Sequence, residues 1–513
     1  MFRMSAVCGT IPADAWQPLK RQGEGVAMEA GIVERMAALR RHLKAVTLAD
    51  VFDVRALGFA LTLAWASIVF FSTTVHFSTR NDVSHFNSVV GFSSVGMLAV
   101  LLPAALGPKR FARAMRAPIM RALAPAVMSV STVVLVVIDL NFFTQPWCSL
   151  SSMAAGAGLG VLYLAWGEEF RRLAPTQAVV ETASSFMLAA LLFALVVALP
   201  RPVGVVATVL LPLAVGLVVL ARGVWKDAAE PASAPAPLRR GAFSVRALLS
   251  LGVLSFAESF IRALFFNASP IISEGSYPWL FLVATMASIA FVCVPLFSAD
   301  GLDVAAAYRA AVLALGFMFL LLPILDLGSL PADIVALTMY ATVTLLVWIV
   351  LVRITGLFGL VAPFSFGVGW GAHVAGSLAG TFGGALLGSF IELAPRVLSV
   401  VELGCVCLLF LAYLFLFTDR SMTSLLGVRP DSRRRPFRER CERVAREYSL
   451  TPREQEIMAL VAKGRSTPRI QKALGLTAGT VNTHLAHLYR KLDVHDKQEI
   501  IDLLERPQAK SEQ

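Results

Sequence analysis

The sequence predicts an all-α polytopic membrane protein of twelve transmembrane helices, six plus six, ending in a small four-helix soluble domain. Three observations carry this. Of the 513 residues, 57% are hydrophobic and only 15% are charged, whereas soluble globular chains hold about 25% charged residues. Apolar runs near 20 residues long, each sufficient to cross a bilayer, recur along most of the chain. The apolar excess then stops near Phe417, and the remaining tail holds nineteen Lys/Arg against thirteen Asp/Glu. An ordinary soluble enzyme is excluded.

The first 56 residues carry Lys20, Arg21, Arg35, Arg40, Arg41 and Lys44. They lack an apolar core ending in a cleavage site, so they read as a cytoplasmic lead-in with one helix over 31–43 rather than a signal peptide. Spans are expected over 57–77, 83–106, 118–138, 147–166, 179–199 and 203–221. A polar break rich in Pro and Ala, 222–246, follows. Six more spans are expected over 247–266, 279–297, 306–324, 334–352, 366–390 and 398–417.

Loop charge tests this count, because Lys and Arg accumulate on the cytoplasmic side. The loops after even-numbered spans, with the residues flanking them, hold fourteen basic residues, from Lys109 to Arg353, and the alternate loops hold three, Arg80, Arg201 and Arg396. That bias places both termini in the cytoplasm. Trp147, Trp166 and Trp279 at span ends suit an interfacial aromatic belt. The six cysteines (Cys8, Cys148, Cys293, Cys405, Cys407, Cys441) form no CxxC pair, so neither a disulfide framework nor a metal site is expected, and no cofactor is implied.

Ionisable residues inside a bilayer are costly and therefore functional candidates. Glu258 and Arg262 lie four apart in the seventh span with the acid first, the favourable order for an ion pair. They are either a self-neutralised structural pair or a ligand or proton site. His373 in the eleventh span is a further ligand-sensing candidate or a hydrogen-bonded packing residue. Glu181 and Glu402, near span ends, are placed to snorkel toward the headgroups. Gly376, Gly380, Gly384 and Gly388 strip one face of the eleventh span of side chains, which predicts close packing on a neighbouring helix, homodimerisation or a hinge.

Six spans, a long middle loop and six more spans resemble the major facilitator superfamily, in which substrate binds between two six-helix halves at the membrane midplane. The resemblance is architectural. That family's loop signature after the second span pairs Gly and Asp with basic residues, and here the stretch GPKRFARAMR has no acid.

The tail is punctuated as helices. Thr451, Pro452 and Glu454 form an N-cap, a first-turn proline and an N3 carboxylate, the elements of a capping box, opening a helix to Lys463 that Gly464 ends. Ser466 or Thr467 caps a second helix, which Gly475 terminates in a tight turn. Thr477 caps a third, in which Val481, Leu485, Leu488 and Leu492 face the core. Its other side presents Gly479, Thr480, Thr483, Ala486, His487 and Arg490, with Asn482 and Lys491 at the edges. Asp496 and Glu499 open a fourth. Two helices joined by a tight turn, the second exposing small and hydrogen-bonding side chains, form the helix-turn-helix layout, whose second helix enters the DNA major groove. The candidate DNA-binding residues are Arg465, Thr467, Arg469, Thr477, Gly479, Thr480, Asn482, Thr483, His487, Arg490 and Lys491.

Leu450, Thr451, Arg453, Glu454, Glu456, Gly464, Ser466, Ile470, Leu474, Thr480, Val481, His484, Leu488, Tyr489, Lys491, Leu492 and Val494 fall where the LuxR-type DNA-binding domain has its LTxRExEVL, GxS, TVKxH and YxKL elements. About 60 residues of the chain resemble that domain. Departures are Asn482 for the usual Lys, Gln471 for a small residue, and Gly479 inside the reading helix. The resemblance implies a non-catalytic bacterial transcription regulator that binds double-stranded DNA as a homodimer, with RNA polymerase as a further partner.

The expected order is therefore a cytoplasmic segment 1–56, membrane halves 57–221 and 247–417 around the loop 222–246, a basic juxtamembrane linker 418–445 and the DNA-binding domain 446–510. The whole is expected in the bacterial inner membrane, surrounded by lipid, with the membrane part sensing an unknown small molecule. A transporter of major facilitator type with a regulatory DNA-binding tail is the alternative, and a membrane scaffold using its tail for protein contacts is a third.

Overall fold

The computed structural model describes residues 53–76, 83–141, 145–221, 245–268, 277–298, 301–302, 304–325, 330–390 and 395–416, then 441, 444–445, 447–462, 465–494 and single positions to 503. The expected helix over 31–43, the body of the 222–246 loop, the basic run Arg433–Arg435, Gly464 and the side chain of Glu402 lie outside the described residues. Two units separate, Met1–Val428 and Arg429–Gln513.

The first unit is built from long helices. They are α1 (Val54–Phe71), α2 (Val83–Leu106), α4 (Pro118–Asn141), α5 (Gln145–Phe170), α6 (Pro175–Ala198) and α7 (Arg201–Ala221), with a short α3 (Pro108–Ala114) lying in the basic loop. After the break come α8 (Val245–Ala268), α9 (Tyr277–Leu296), α10 (Val304–Leu321), α11 (Leu330–Phe358), α12 (Ala362–Phe390) and α13 (Pro395–Leu416). Eight of these, α1, α2, α4 to α7, α9 and α11, are individually long and apolar enough to cross a membrane. The unit is thus a multi-pass membrane region.

Helix ends follow local chemistry. Asp53 caps α1 by accepting from the Arg55 backbone N–H at 2.9 Å, and proline opens α3 and α6, where its missing donor costs nothing. The first helix ends at Phe71, six residues before the expected limit, because Ser72 turns extended and its hydroxyl donates to the Ile68 carbonyl at 2.6 Å. A two-residue antiparallel pairing, Phe297–Ser298 with Gly301–Leu302, departs from the all-α expectation only in the turn before α10. Many hydroxyls inside the helices are satisfied by the carbonyl one turn back, as in Thr62 to Gly58, Thr132 to Met128 and Thr355 to Leu351, which is how Ser and Thr are tolerated in apolar surroundings.

The two sets of six pair in the same way. In the first, α1 packs on α6 and α7, α2 on α5, and α4 on α7; in the second, α8 packs on α12 and α13, α9 on α11, and α10 on α13. The sets meet through α2 against α12 and α6 against α9. Glycine makes the closest of these approaches. A Cβ on Gly376, Gly380 or Gly384 would fall on the carbonyl oxygens of Gly252, Phe256 and Phe260 respectively, so the glycine face of α12 lies on the backbone of α8. The partner is a helix of the same chain. Gly96 and Gly156 do the same reciprocally between α2 and α5.

Between the sets lies an aromatic core. Phe59 stacks on Trp348 with centroids 4.2 Å apart, and Tyr163, Phe170, Phe366 and Trp370 surround the same indole at 5.0 to 5.8 Å. Outward, Leu102, Val130, Leu195, Leu217 and Val400 are exposed, as are Trp147 and Trp279 at helix starts. That apolar exterior suits lipid contact.

The second unit has its own core, from Cys441, Val444, Ile457, Met458, Val461, Ile470, Val481, Leu488, Leu492, Ile500 and Leu503. Its helices are α14 (Pro452–Ala462), α15 (Thr467–Leu474) and α16 (Ala478–Leu492).

Candidate nucleic-acid interface and buried polar cluster

The capping box at the start of α14 forms as expected. The Thr451 N–H donates to Glu454 Oε2 at 2.8 Å, and the Glu454 N–H points back at Thr451 Oγ1 at 3.3 Å. Glu454 is buried, and Lys491 Nζ from α16 reaches the same carboxylate oxygen at 2.7 Å. Burial alone would raise the Glu454 pKa, but the Lys491 ammonium and the Thr451 N–H and hydroxyl outweigh it and hold the group down at about 2. Lys491 also donates to the Ser449 carbonyl at 3.4 Å. Arg453 donates to the Leu474 carbonyl at 2.8 Å, tying α14 to the last turn of α15. Gly475 then ends α15 at φ 64°, a left-handed conformation that favours glycine.

A depressed carboxylate contributes stability that is complete above its unfolded pKa and lost as pH falls through the folded value. For Glu454 the window runs from about 4.5 down to about 2. Lys491→Met is expected to destabilise the C-terminal unit by about 1–2 kcal/mol at pH 7 and to move its acid unfolding to higher pH. Glu454→Gln should leave the stability of the unit less dependent on pH in that window. Urea unfolding of residues 429–513 at pH 7 and pH 3 checks both, and equal loss at the two pH values would overturn the linkage.

Thr477 caps α16 by accepting from the Thr480 N–H at 3.4 Å, with the two hydroxyls 2.9 Å apart. Val481, Leu488 and Leu492 face inward. Thr480, Thr483, His487 and Arg490, spaced 3, 4 and 3, form an exposed stripe with Gly479 and Asn482 beside it. Thr483 donates to the Gly479 carbonyl at 3.0 Å. A Cβ on Gly479 would meet nothing within 4 Å, so nothing within the described residues requires that glycine. Arg465 and Arg469 are exposed near the start of α15, and Thr467 is half-buried at its first turn. Of the candidate DNA-binding residues, Lys491 alone makes an ion pair with a buried carboxylate among the described residues.

In the membrane unit the three ligand-sensing candidates fall on one interface, α8 against α12. Arg262 Nε donates to Glu258 Oε1 at 3.1 Å, and Ser259 donates to Glu258 Oε2 at 2.9 Å. Ser259 and Ser377 of α12 are 2.6 Å apart. Four residues before Ser259 in α8, Ser255 Oγ lies 2.6 Å from His373 Nδ1. The Arg262 guanidinium lies beside the Phe71 and Tyr340 rings, 5.8 and 5.7 Å from their centroids, which are themselves 4.6 Å apart. Glu181, expected to snorkel, is instead fully buried, 3.5 Å from Arg55 and bonded to Gln177 at 2.9 Å. Its cation comes from α1, 126 positions upstream in the sequence, which no local pattern announces. Among the described residues no His, Cys, Asp and Glu group fit to hold a metal occurs.

Residues 448–504 match the family described as bacterial regulatory proteins, luxR family. The chain is 42% identical over 65 residues to the uncharacterized response regulatory protein YgeK of Escherichia coli K12, covering 12% of this chain and 44% of that one. It is 45% identical over 49 residues to the transcriptional regulatory protein LiaR of Bacillus subtilis 168, covering 10% and 23%. The chain therefore spans less than half the length of these curated relatives. Among solved structures, the human organic anion transporter MFSD10 is similar with TM-score 0.48 and 16% identity over 72% of this chain and 99% of that one. The nucleoside transporter NupG is similar with TM-score 0.46 and 12% identity, over 72% and 100%.

Proposed function

We propose that this chain, whose C-terminal unit is a LuxR-type helix-turn-helix, is a membrane-anchored transcription regulator of the bacterial inner membrane, with twelve spans and both termini in the cytoplasm. The observation that carries it is the joining of that unit to a multi-pass helical region in one polypeptide. The loop-charge bias supports the orientation, and the repeated pairing of the two six-helix sets supports the twelve-span count. In this reading α16 enters the major groove. Thr480, Asn482, Thr483 and His487 meet base edges or phosphates, while Arg465, Arg469 and Arg490, with Thr467 and Thr477, meet the backbone. Lys491 acts through Glu454, fixing the angle of α16 against α14.

The membrane part senses a signal, and any ligand must bind one of its states better than the other. Rocking of the two sets would separate Phe71 from Arg262, so the cluster of Glu258, Arg262 and His373 is placed to differ between states. Confinement to the bilayer keeps two tails at high effective concentration for dimeric binding to DNA, with RNA polymerase as a further partner.

The test is a genome-wide map of DNA bound by the full-length protein against a Thr480→Ala, Thr483→Ala, Arg490→Ala variant. Discrete peaks lost in the variant are expected. A map unchanged by the variant, together with no DNA binding by residues 429–513, would sink the reading. Gly479 offers a sharper arm. Gly479→Ala is expected to stabilise the unit by about 0.5–1 kcal/mol, since glycine inside a helix is destabilising by that amount. If close approach to DNA is what retains the glycine, the same variant weakens operator binding, so stability and affinity move in opposite directions. Parallel gains would remove Gly479 from the interface.

A further inference from the structure

A cavity of about 340 Å³ opens between the two six-helix sets, at the end of the bundle that carries the charged turn after α5. Its wall is largely apolar, with Leu173, Val179, Ile349 and Val352 among the lining residues, and two cations, Arg171 and Arg353, face it. Their situations differ. Arg171 is paired with Glu168, which also takes Arg172 at 3.6 Å and accepts from the Ala362 N–H of α12 at 3.2 Å. Glu169 is taken by Arg172 at 3.3 Å. The carboxylates of the turn are thus committed. Arg353 makes no ion pair among the described residues, and its Nε, like that of Arg171, is buried without a hydrogen-bond partner.

A guanidinium set partly out of water with no counter-charge is costly, and a pocket of this size lined by apolar groups with a few placed polar ones is the usual form of a small-molecule site. We propose that the cavity binds an amphipathic anion, its carboxylate or phosphate head on Arg353 and its apolar body along Val179, Ile349 and Val352. The planar fork of Arg353 suits either oxyanion. The ligand touches both sets, α6 from the first and α11 from the second, so its binding bears on their separation. The site is distinct from the α8–α12 cluster and does not depend on the DNA-binding reading.

Such an anion has two sources, an acidic phospholipid of the surrounding bilayer or a free amphipathic acid from water. The experiment uses the full-length chain in phosphatidylcholine nanodiscs with radiolabelled decanoate as probe, and repeats the titration in discs where phosphatidylglycerol replaces part of the lipid. Saturable decanoate binding is expected, weakened about tenfold to a hundredfold by Arg353→Gln, the factor lost with a charge-assisted hydrogen bond, and partly retained by Arg353→Lys. Val179→Trp, which fills the cavity and leaves Arg353 in place, should abolish it in protein whose melting temperature matches the parent. Competition by phosphatidylglycerol assigns the site to lipid, and its absence assigns it to a free acid. Equal decanoate binding by parent and Arg353→Gln, equal binding of decanol, or no saturable binding with no phosphatidylglycerol retained by the purified protein would each overturn the proposal.

Discussion

Gly380→Leu is expected to remove nearly all folded, monodisperse protein from detergent extracts, and Gly376→Leu to do the same. In both, the new side chain has no direction in which to yield. A Cβ at Gly380 would fall on the Phe256 carbonyl oxygen with Phe260 N at 2.9 Å and Ser259 Cβ at 3.1 Å. These are backbone atoms and a Cβ of α8, so relief requires one helix to withdraw from the other. Overpacking a core costs about 1–3 kcal/mol when side chains can shift, and a clash with backbone exceeds that range. Water supplies little drive for association inside a bilayer, so nothing replaces the dispersion attraction forfeited along the whole α8–α12 seam. Ser259, Ser377, Ser255 and His373 lie on the same seam, and their hydrogen bonds part with it. Gly404→Leu is the control, because a Cβ there meets nothing within 4 Å. Size-exclusion profiles and melting temperatures of the three variants decide the matter. A Gly380→Leu protein that melts within a few degrees of Gly404→Leu would refute the seam.

How much of this is legible in the sequence follows from where each signal resides. The long apolar helices are legible because hydropathy is a local property of each run, and α4 begins at Pro118 as the sequence predicts. The caps of α14 and α16 are legible for the same reason, since Thr451 and Glu454 or Thr477 and Thr480 lie within one helical turn, whereas Ser466 stands at the N-cap of α15 without a side-chain capping bond. Partners distant in sequence are not. Lys491 reads as a solvent-facing cation on α16 until Glu454, 37 residues earlier, is found beneath it. The glycine stripe of α12 announces a close neighbour without naming it, because small residues leave space and carry no address. Phe59, Tyr163, Trp348 and Trp370 are invisible as a group: each sits in a run already wholly apolar, so no period marks the aromatic core between the sets. Arg353 reads as one more basic residue of a loop-charge count, and only the cavity beside it gives its lack of an ion pair among the described residues a meaning.

Glu258→Gln is expected to destabilise the membrane unit by about 3–5 kcal/mol, whereas the pair Glu258→Leu with Arg262→Met should restore most of that loss. The asymmetry comes from desolvation. Removing one partner of a buried ion pair leaves the other charged and uncompensated, at about that cost, while replacing both with apolar residues of similar volume is commonly neutral or stabilising. Glu258 and Arg262 are both buried. Every bond the guanidinium makes in the cluster goes to Glu258 or Ser259, so no other described carboxylate takes the charge over. Thermal unfolding in one detergent, run as a double-mutant cycle, measures the coupling directly. Additive losses would mean that the two residues do not act as a pair. Under the proposed regulator reading, the same doubly substituted protein separates the two readings of the cluster. If the ion pair only holds α8 in shape, a stable apolar replacement still relays the signal to the DNA-binding unit, and target transcription responds as in the parent. If the pair is the element whose energy differs between the two states, that protein folds as well as the parent and its transcription no longer responds.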